Sequence, residues 1–218
     1  GQPFPFFYGY KTDGIIQNQA EADAYNAKYG TNKQPGDFRF VDTDHNNIIN
    51  SDDRTNIGNG VPDWTFGLNL DAEWKGFDLS VFFQGVSGAD VFDATYRQDV
   101  SSGNYPTWVL QRWTGEGTSN TVPVLGRSEN WVCSDMYIQD ASYLRLKNIT
   151  LGYTLPRQLT QKINVSRFRV FARAENLFTW TKYWGFDPEI GSGVTSLGVD
   201  YGVYPQARTY TIGFNISL

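Results

Sequence analysis

From Trp64 to Trp74 the chain alternates without a break. Trp64, Phe66, Leu68, Leu70, Ala72 and Trp74 fall on one face of an extended strand, and Thr65, Gly67, Asn69, Asp71 and Glu73 fall on the other. Period two held over eleven residues suits a strand that crosses a bilayer, which needs about 9–11 residues with aromatic girdles at the two interfaces. A half-buried strand of a soluble sandwich usually stops after about 5–6 residues.

The same pattern recurs downstream. Lys75-Gly76 makes a tight turn into a segment at 77–85, where Phe77, Leu79, Val81 and Phe83 alternate with Asp78, Ser80 and Gln84, and Phe82 interrupts the polar parity. At 143–155, Ile149, Leu151, Tyr153 and Leu155 oppose Asn148, Thr150, Gly152 and Thr154. Straight alternation through the first half of that segment puts Arg145 and Lys147 on the apolar parity. They are expected to stand above the hydrocarbon, because a charge at the midplane costs roughly 2–4 kcal/mol. A fourth segment at 167–178 turns Phe168, Val170, Ala172 and Ala174 one way and Arg169, Arg173 and Glu175 the other. The fifth, at 209–218, carries Tyr210, Ile212, Phe214, Ile216 and Leu218 on its apolar face.

The fold class expected is therefore all-β, an antiparallel transmembrane barrel segment of five long strands within 63–218, preceded by an extracellular loop region at 1–62. Connection lengths support it. Two residues join the first pair of strands and about ten the third pair, whereas 86–142 and 179–207 are long. Outer-membrane barrels have short periplasmic turns and long extracellular loops, so the long segments are expected outside and the C-terminus in the periplasm. Five strands cannot close a barrel, since about eight is the smallest, and an open edge in lipid strands its backbone groups. The chain is thus expected to be a fragment, a cleaved piece or half of a split protein, with its export signal upstream of Gly1.

Composition removes other classes. The formal charge is −5 and no Lys/Arg cluster occurs, so a nucleic-acid footprint is missing. No run of about 18 apolar residues is present, which excludes a transmembrane helix but not barrel strands. Aromatic residues make up 16%, more Trp and Tyr than a soluble core accommodates easily, and rings with one wet end suit a membrane–water boundary. His45 is the sole histidine and Cys133 the sole cysteine. No nucleophile–base set can be assembled around either, and no enzyme is expected.

Two features of the loops carry binding chemistry. Residues 42–53 have the spacing of a twelve-residue calcium loop. Asp42, Asp44 and Asn46 stand at positions 1, 3 and 5, the Ile48 carbonyl at 7, Asn50 at 9 and Asp53 at 12. Asn47 replaces the usual Gly at position 6, and Asn tolerates the left-handed conformation needed there. Two readings stand: a structural Ca2+ site, or a solvated Asx-rich turn. The loops also carry Tyr96, Tyr105, Trp108, Trp113, Trp131, Tyr137, Trp180, Tyr183, Trp184, Tyr201 and Tyr204. Of these, Trp108, Trp113, Trp131, Trp184 and Tyr201 are candidates to face a sugar or peptide. The alternative is that such rings anchor large loops upon themselves.

Several stretches, taken in order, resemble the SusC/RagA family of TonB-linked outer-membrane transporters. They are Phe7-Tyr8-Gly9-Tyr10-Lys11-Thr12-Asp13-Gly14-Ile15, the 42–53 loop running into Arg54 and Ile57-Gly58, and Pro62-Asp63-Trp64-Thr65-Phe66-Gly67. Then come Ser142-Tyr143-Leu144-Arg145-Leu146-Lys147-Asn148-Ile149-Thr150-Leu151-Gly152-Tyr153, Glu175-Asn176-Leu177-Phe178-Thr179 and Tyr183-Trp184-Gly185-Phe186-Asp187-Pro188-Glu189. Tyr204-Pro205, Arg208-Thr209-Tyr210 and Gly213-Phe214-Asn215 complete them. The resemblance implies the C-terminal part of a barrel of about 22 strands with an N-terminal plug that meets TonB, neither of which lies in this sequence. It implies a SusD-like surface lipoprotein as lid, and oligosaccharides or peptides as cargo. Leu218 stands where many members end in Phe. The runner-up readings are a soluble all-β carbohydrate-binding module and a porin-like barrel without TonB coupling.

Overall fold

The computed structural model describes residues 2, 4–95, 104–191, 193 and 196–218. Its longest strands are β1 (Trp64–Trp74), β2 (Phe77–Ser87), β3 (Tyr143–Thr154), β4 (Arg167–Thr181) and β5 (Thr209–Ser217). They form one antiparallel sheet in chain order, each strand hydrogen-bonded to its neighbour in sequence. This is the meander expected of a barrel segment. Both residues of the β1–β2 turn take positive φ, 48° at Lys75 and 87° at Gly76, the backbone that a two-residue hairpin in a right-twisted ladder requires. β2 and β4 run further than apolar parity alone indicates, to Ser87 and Thr181.

The register decides which residues share a face. Leu68 lies opposite Phe83, Leu70 opposite Val81, and Leu79 opposite Leu151, which faces Ala172, itself opposite Ile212. This apolar face is bare: Trp64 is 74% and Ile212 84% exposed. Aromatic side chains mark its two ends. Trp74, Phe77 and Tyr153 stand at the turn end, with the last two rings 4.5 Å apart, and Trp64, Trp180 and Tyr210 stand toward the other.

The opposite face is polar and internally paired. The Arg169 Nε donates to Asp78 at 2.8 Å as part of a two-bond ion pair, and Arg173 meets Glu175 at 2.7 Å. Glycines make room for the large groups there. A Cβ on Gly213 would stand 2.5 Å from the Phe171 ring, and one on Gly67 would stand 3.3 Å from Phe82. Phe82, which breaks the polar alternation, is accommodated because its partner strand leaves this slot.

Alternation fails at one place. Between Asn148 and Leu146 of β3 the pairing with both neighbours slips, leaving Lys147 without an opposite residue on β2 and with Asn176 and Leu177 bulged on β4. Asn176 takes a left-handed φ of 53° there. The extra residue reverses the parity of everything before it. Arg145 therefore lies opposite Gln84 and Thr179 on the polar face, which corrects the expectation that it points outward above the hydrocarbon.

The chain divides into two units, the sheet unit being Pro62–Ala89, Asp140–Glu189 and Val203–Leu218, and the other Gly1–Val61, Asp90–Gln139 and Ile190–Gly202. The first break between the units falls between Val61 and Pro62. The connection at 179–207 is shared, because its ends stay with the sheet. The second unit has a small core of Ile15, Phe38 and Phe40 against Tyr10, Trp113 and Met136. Helix α1 (Gln19–Tyr29), not anticipated from the loop-like composition, adds Ala22 and Tyr25 against Ile16. Asn18 caps it by accepting from the Glu21 backbone N–H at 3.0 Å, and the Glu21 carboxylate accepts from the N–H of the preceding Gln17 at 2.9 Å. Buried Asp37 receives a two-pronged bond from Arg127, both at 2.7 Å, and a third from Asn130 at 3.1 Å. This ties two segments some ninety residues apart.

Candidate functional site

The bulge in β3 delivers Arg145 to the polar face at the end from which the long connections leave. The residue is 1% exposed, and three of its five N–H donors are engaged. Nε donates to the Thr179 hydroxyl at 2.9 Å, Nη1 to Glu189 at 2.7 Å and Nη2 to Asp187 at 2.6 Å. Lys147, at the bulge itself, reaches the same Glu189 oxygen at 3.1 Å. Asp187 also accepts from the backbone N–H groups of Glu189 and Gln206, both at 2.9 Å. Burial alone would push the Asp187 carboxyl up, but those two N–H donors and the Arg145 guanidinium outweigh it and hold its pKa below the ordinary carboxylate value. A buried carboxylate so supplied stays ionised, and it clamps residues 187–189 and Gln206 onto the sheet.

Beside this clamp lies a cavity of about 210 Å³, lined among others by Asn176, Thr179, Phe186, Gln206 and Arg208. Sequence reasoning did not single out these residues. The Asp-Pro-Glu run at 187–189 was a signal, but its cationic partners are more than forty residues away.

In the other unit, the 42–53 loop takes a turn built from its own side chains. Asp42 accepts from the N–H groups of Asn46 and Asn47 at 3.2 and 2.9 Å, and Asp53 accepts from Thr43 and Asn50, both at 2.8 Å. Asn47 has the left-handed φ, 62°, that position 6 demands, and His45 has 61°. Carboxylate oxygens of Asp42, Asp44 and Asp53 lie within 4.8 Å of one another. The Asn46 and Asn50 oxygens are already used, by Ile48 N–H at 2.7 Å and Asp52 N–H at 2.6 Å. Ile48 itself is exposed. Three of the six candidate ligands are thus brought together, and the rest of the loop is an Asx-turn framework that serves either reading.

The aromatic candidates separate. Trp113 packs on the Ile15–Phe38–Phe40 core and donates its indole N–H to Gln17 at 3.3 Å. Trp131 stacks edge-on against Tyr137 at 4.8 Å. Both are anchors of their loops. Trp108 is half-buried in the short helical turn Thr107–Gln111. Trp184 and Tyr201 are exposed, as are Phe186 and Tyr204. Tyr96 lies outside the described residues.

No family model matches the chain. It is 34% identical over 225 residues to TonB-dependent receptor P3 of Formosa agariphila, covering 99% of this chain and 22% of that protein. To TonB-dependent receptor SusC of Bacteroides thetaiotaomicron it is 32% identical over 198 residues, covering 88% of the chain and 19% of the relative. A solved structure of the RagAB peptide transporter superposes with a TM-score of 0.74 at 27% identity, over 97% of this chain and 22% of the other. The chain accordingly spans about a fifth of the length of these relatives.

Proposed function

Because the chain belongs with the SusC/RagA-type TonB-dependent receptors, we propose that it builds wall and loops of an outer-membrane importer for oligosaccharides or peptides. The observation that carries this reading is the two-faced sheet. One face is apolar, bare and edged by aromatic rings, and the other is polar and cross-linked by ion pairs. Lipid satisfies the first and a water-filled or plugged lumen the second. A soluble carbohydrate-binding module would have to leave that apolar face in water.

In this reading the long connections face the exterior and the Lys75-Gly76 turn faces the periplasm. Plug contacts with TonB and a SusD-like lipoprotein lid belong to the complete receptor. Trp184 and Tyr201 are the exposed rings available to substrate. The 42–53 loop takes Ca2+ through Asp42, Asp44 and Asp53 with the Ile48 carbonyl, at about 10⁻⁴–10⁻³ M as in extracellular modules, and the ion stiffens the loop without entering any chemistry. No step here needs an enzyme.

The test is uptake by cells carrying the complete receptor, with a maltooligosaccharide mixture and a tryptic peptide mixture as probes. One mixture should be taken up, and deletion of the receptor or of TonB should abolish it equally. Uptake that survives loss of TonB would overturn the importer reading in favour of a porin-like barrel.

A further inference from the structure

The cavity beside Arg145 can be audited donor by donor. Arg145 gives three of its five N–H donors to Thr179, Asp187 and Glu189, and Asp187 accepts from Arg145 and two backbone N–H groups. Their charges cancel across a buried contact. Thr181 donates to the Ser142 carbonyl at 2.9 Å and accepts from Tyr183 N–H at 3.0 Å, so it too is occupied.

Three further groups on the wall keep unspent capacity. Arg208 is exposed and makes no ion pair among the described residues. Thr179 accepts from Arg145, which leaves its own proton to donate. The Gln206 side-chain amide has no partner among the described residues. Asn176 donates to the Ala207 carbonyl at 3.0 Å, and its Oδ1 is closed off from the cavity. Phe186, 76% exposed, supplies an apolar plate at the same wall.

An uncompensated guanidinium, a hydroxyl, a side-chain amide and a ring plate describe a particular guest. It carries a carboxylate, a hydroxyl or N–H donor close by, and a small apolar edge. We propose that this cavity is a subsite for the carboxylate-bearing unit of the imported substrate. Arg208 takes the carboxylate, the Gln206 side-chain amide meets the adjacent donor, and Phe186 backs the apolar edge. The inference rests on the reading of the polar face as the transport path. Two sources share this chemistry, a uronic acid residue and the C-terminal residue of a peptide.

The complete receptor, purified in detergent, is titrated with four probes: galacturonic acid, galactose, glycylglycine and glycylglycine amide. Binding is read by saturation-transfer NMR. One carboxylate probe should bind at least tenfold tighter than its neutral counterpart, and whichever does so names the source. Arg208→Gln should erase that preference, while Arg208→Lys, which keeps the charge but loses the fork, should keep part of it. Equal binding of charged and neutral probes, an undiminished preference in Arg208→Gln, or no binding by either carboxylate would overturn the proposal. Arg208 is exposed, so a heat-modifiability gel should show the variant folded. TonB-dependent uptake by the wild-type receptor is scored separately. Its loss sinks the importer reading whatever the probes do, and its persistence with failed probes sinks only the subsite.

Discussion

Replacing Arg145 with methionine removes the cation from a pocket where Asp187 is 5% exposed at its side chain and Glu189 about a third exposed. Breaking a buried pair by deleting one partner costs about 3–5 kcal/mol, mostly because the other charge is left uncompensated. Two circumstances place this case at the lower end. Asp187 keeps the Gln206 and Glu189 N–H donors, and Glu189 can turn to water. About 3 kcal/mol corresponds to a factor of roughly 150. The loss should be local, because the sheet ladder does not depend on the clamp. The assay is hydrogen exchange on the complete receptor, read at the amides of Glu189 and Gln206, which the Asp187 carboxylate protects. Both should exchange about a hundredfold faster in Arg145→Met, and Arg145→Met with Asp187→Asn should recover part of the protection. Acid reports on the same clamp. The Asp187 pKa is depressed in the folded protein, so its contribution is fully present above the unfolded value near about 3.9 and is lost as pH falls through the folded value. Protection at Gln206 should be flat from neutrality to about pH 5 and fall only below roughly pH 4. Unchanged exchange at Gln206 in Arg145→Met would refute the clamp.

Other perturbations test the faces and the loop. Gly152→Ala should destabilise the barrel by about 1–3 kcal/mol, because its Cβ would collide with the Asp78–Arg169 ion pair; a lower temperature of heat modification on a gel reads it. Leu68→Arg on the apolar face should cost about 2–4 kcal/mol for insertion into vesicles, whereas Asn69→Arg, one residue on and facing the lumen, should cost little. Asp44→Asn should weaken Ca2+ protection of the 42–53 loop from proteolysis at millimolar calcium. Equal cleavage of variant and wild type, with or without calcium, would retire the cation.

How much could be read beforehand depended on whether a residue's surroundings are set locally. Trp64–Trp74 was legible to the residue because two uniform solvents, lipid and lumen, sort its side chains by parity alone. Its neighbours were legible until a bulge intervened, and a bulge leaves no mark on composition. The one clue was a conflict: straight parity sent Arg145 and Lys147 toward lipid, a cost the strand should not bear. The clamp was opaque because Arg145 finds Asp187 and Glu189 only through tertiary folding. The second unit was opaque for the same reason, since Thr12 bonds to Asp135 and Asp37 to Arg127 across about a hundred residues. Helix α1 is different. Its N-cap Asn18 stood in the sequence with Glu21 three residues on, but polar composition made the segment read as loop.

The bulge also explains how one strand meets two demands, and this can be tested by deletion. β3 must present an apolar side chain to lipid opposite Phe83 and a cation to the lumen opposite Gln84, and it meets both by carrying one residue too many, Lys147. Removing Lys147 or removing Leu146 yields the same shortened strand and the same register. Both deletions lose the Lys147–Glu189 contact, and both leave Asn176 and Leu177 bulged on β4. They differ in one respect: without Lys147, a leucine still faces outward opposite Phe83 and Phe178, whereas without Leu146 a lysine takes that place. The site is in register with Leu68 but is the fourth residue of β3 and Leu146 is 8% exposed, so part of the midplane penalty of about 2–4 kcal/mol applies. The Lys147 deletion should therefore insert and fold, and the Leu146 deletion should be worse by that amount in vesicle-folding titrations. Equal stability of the two would mean that Lys147 is not the surplus residue and that Arg145 reaches the lumen by some route other than the bulge.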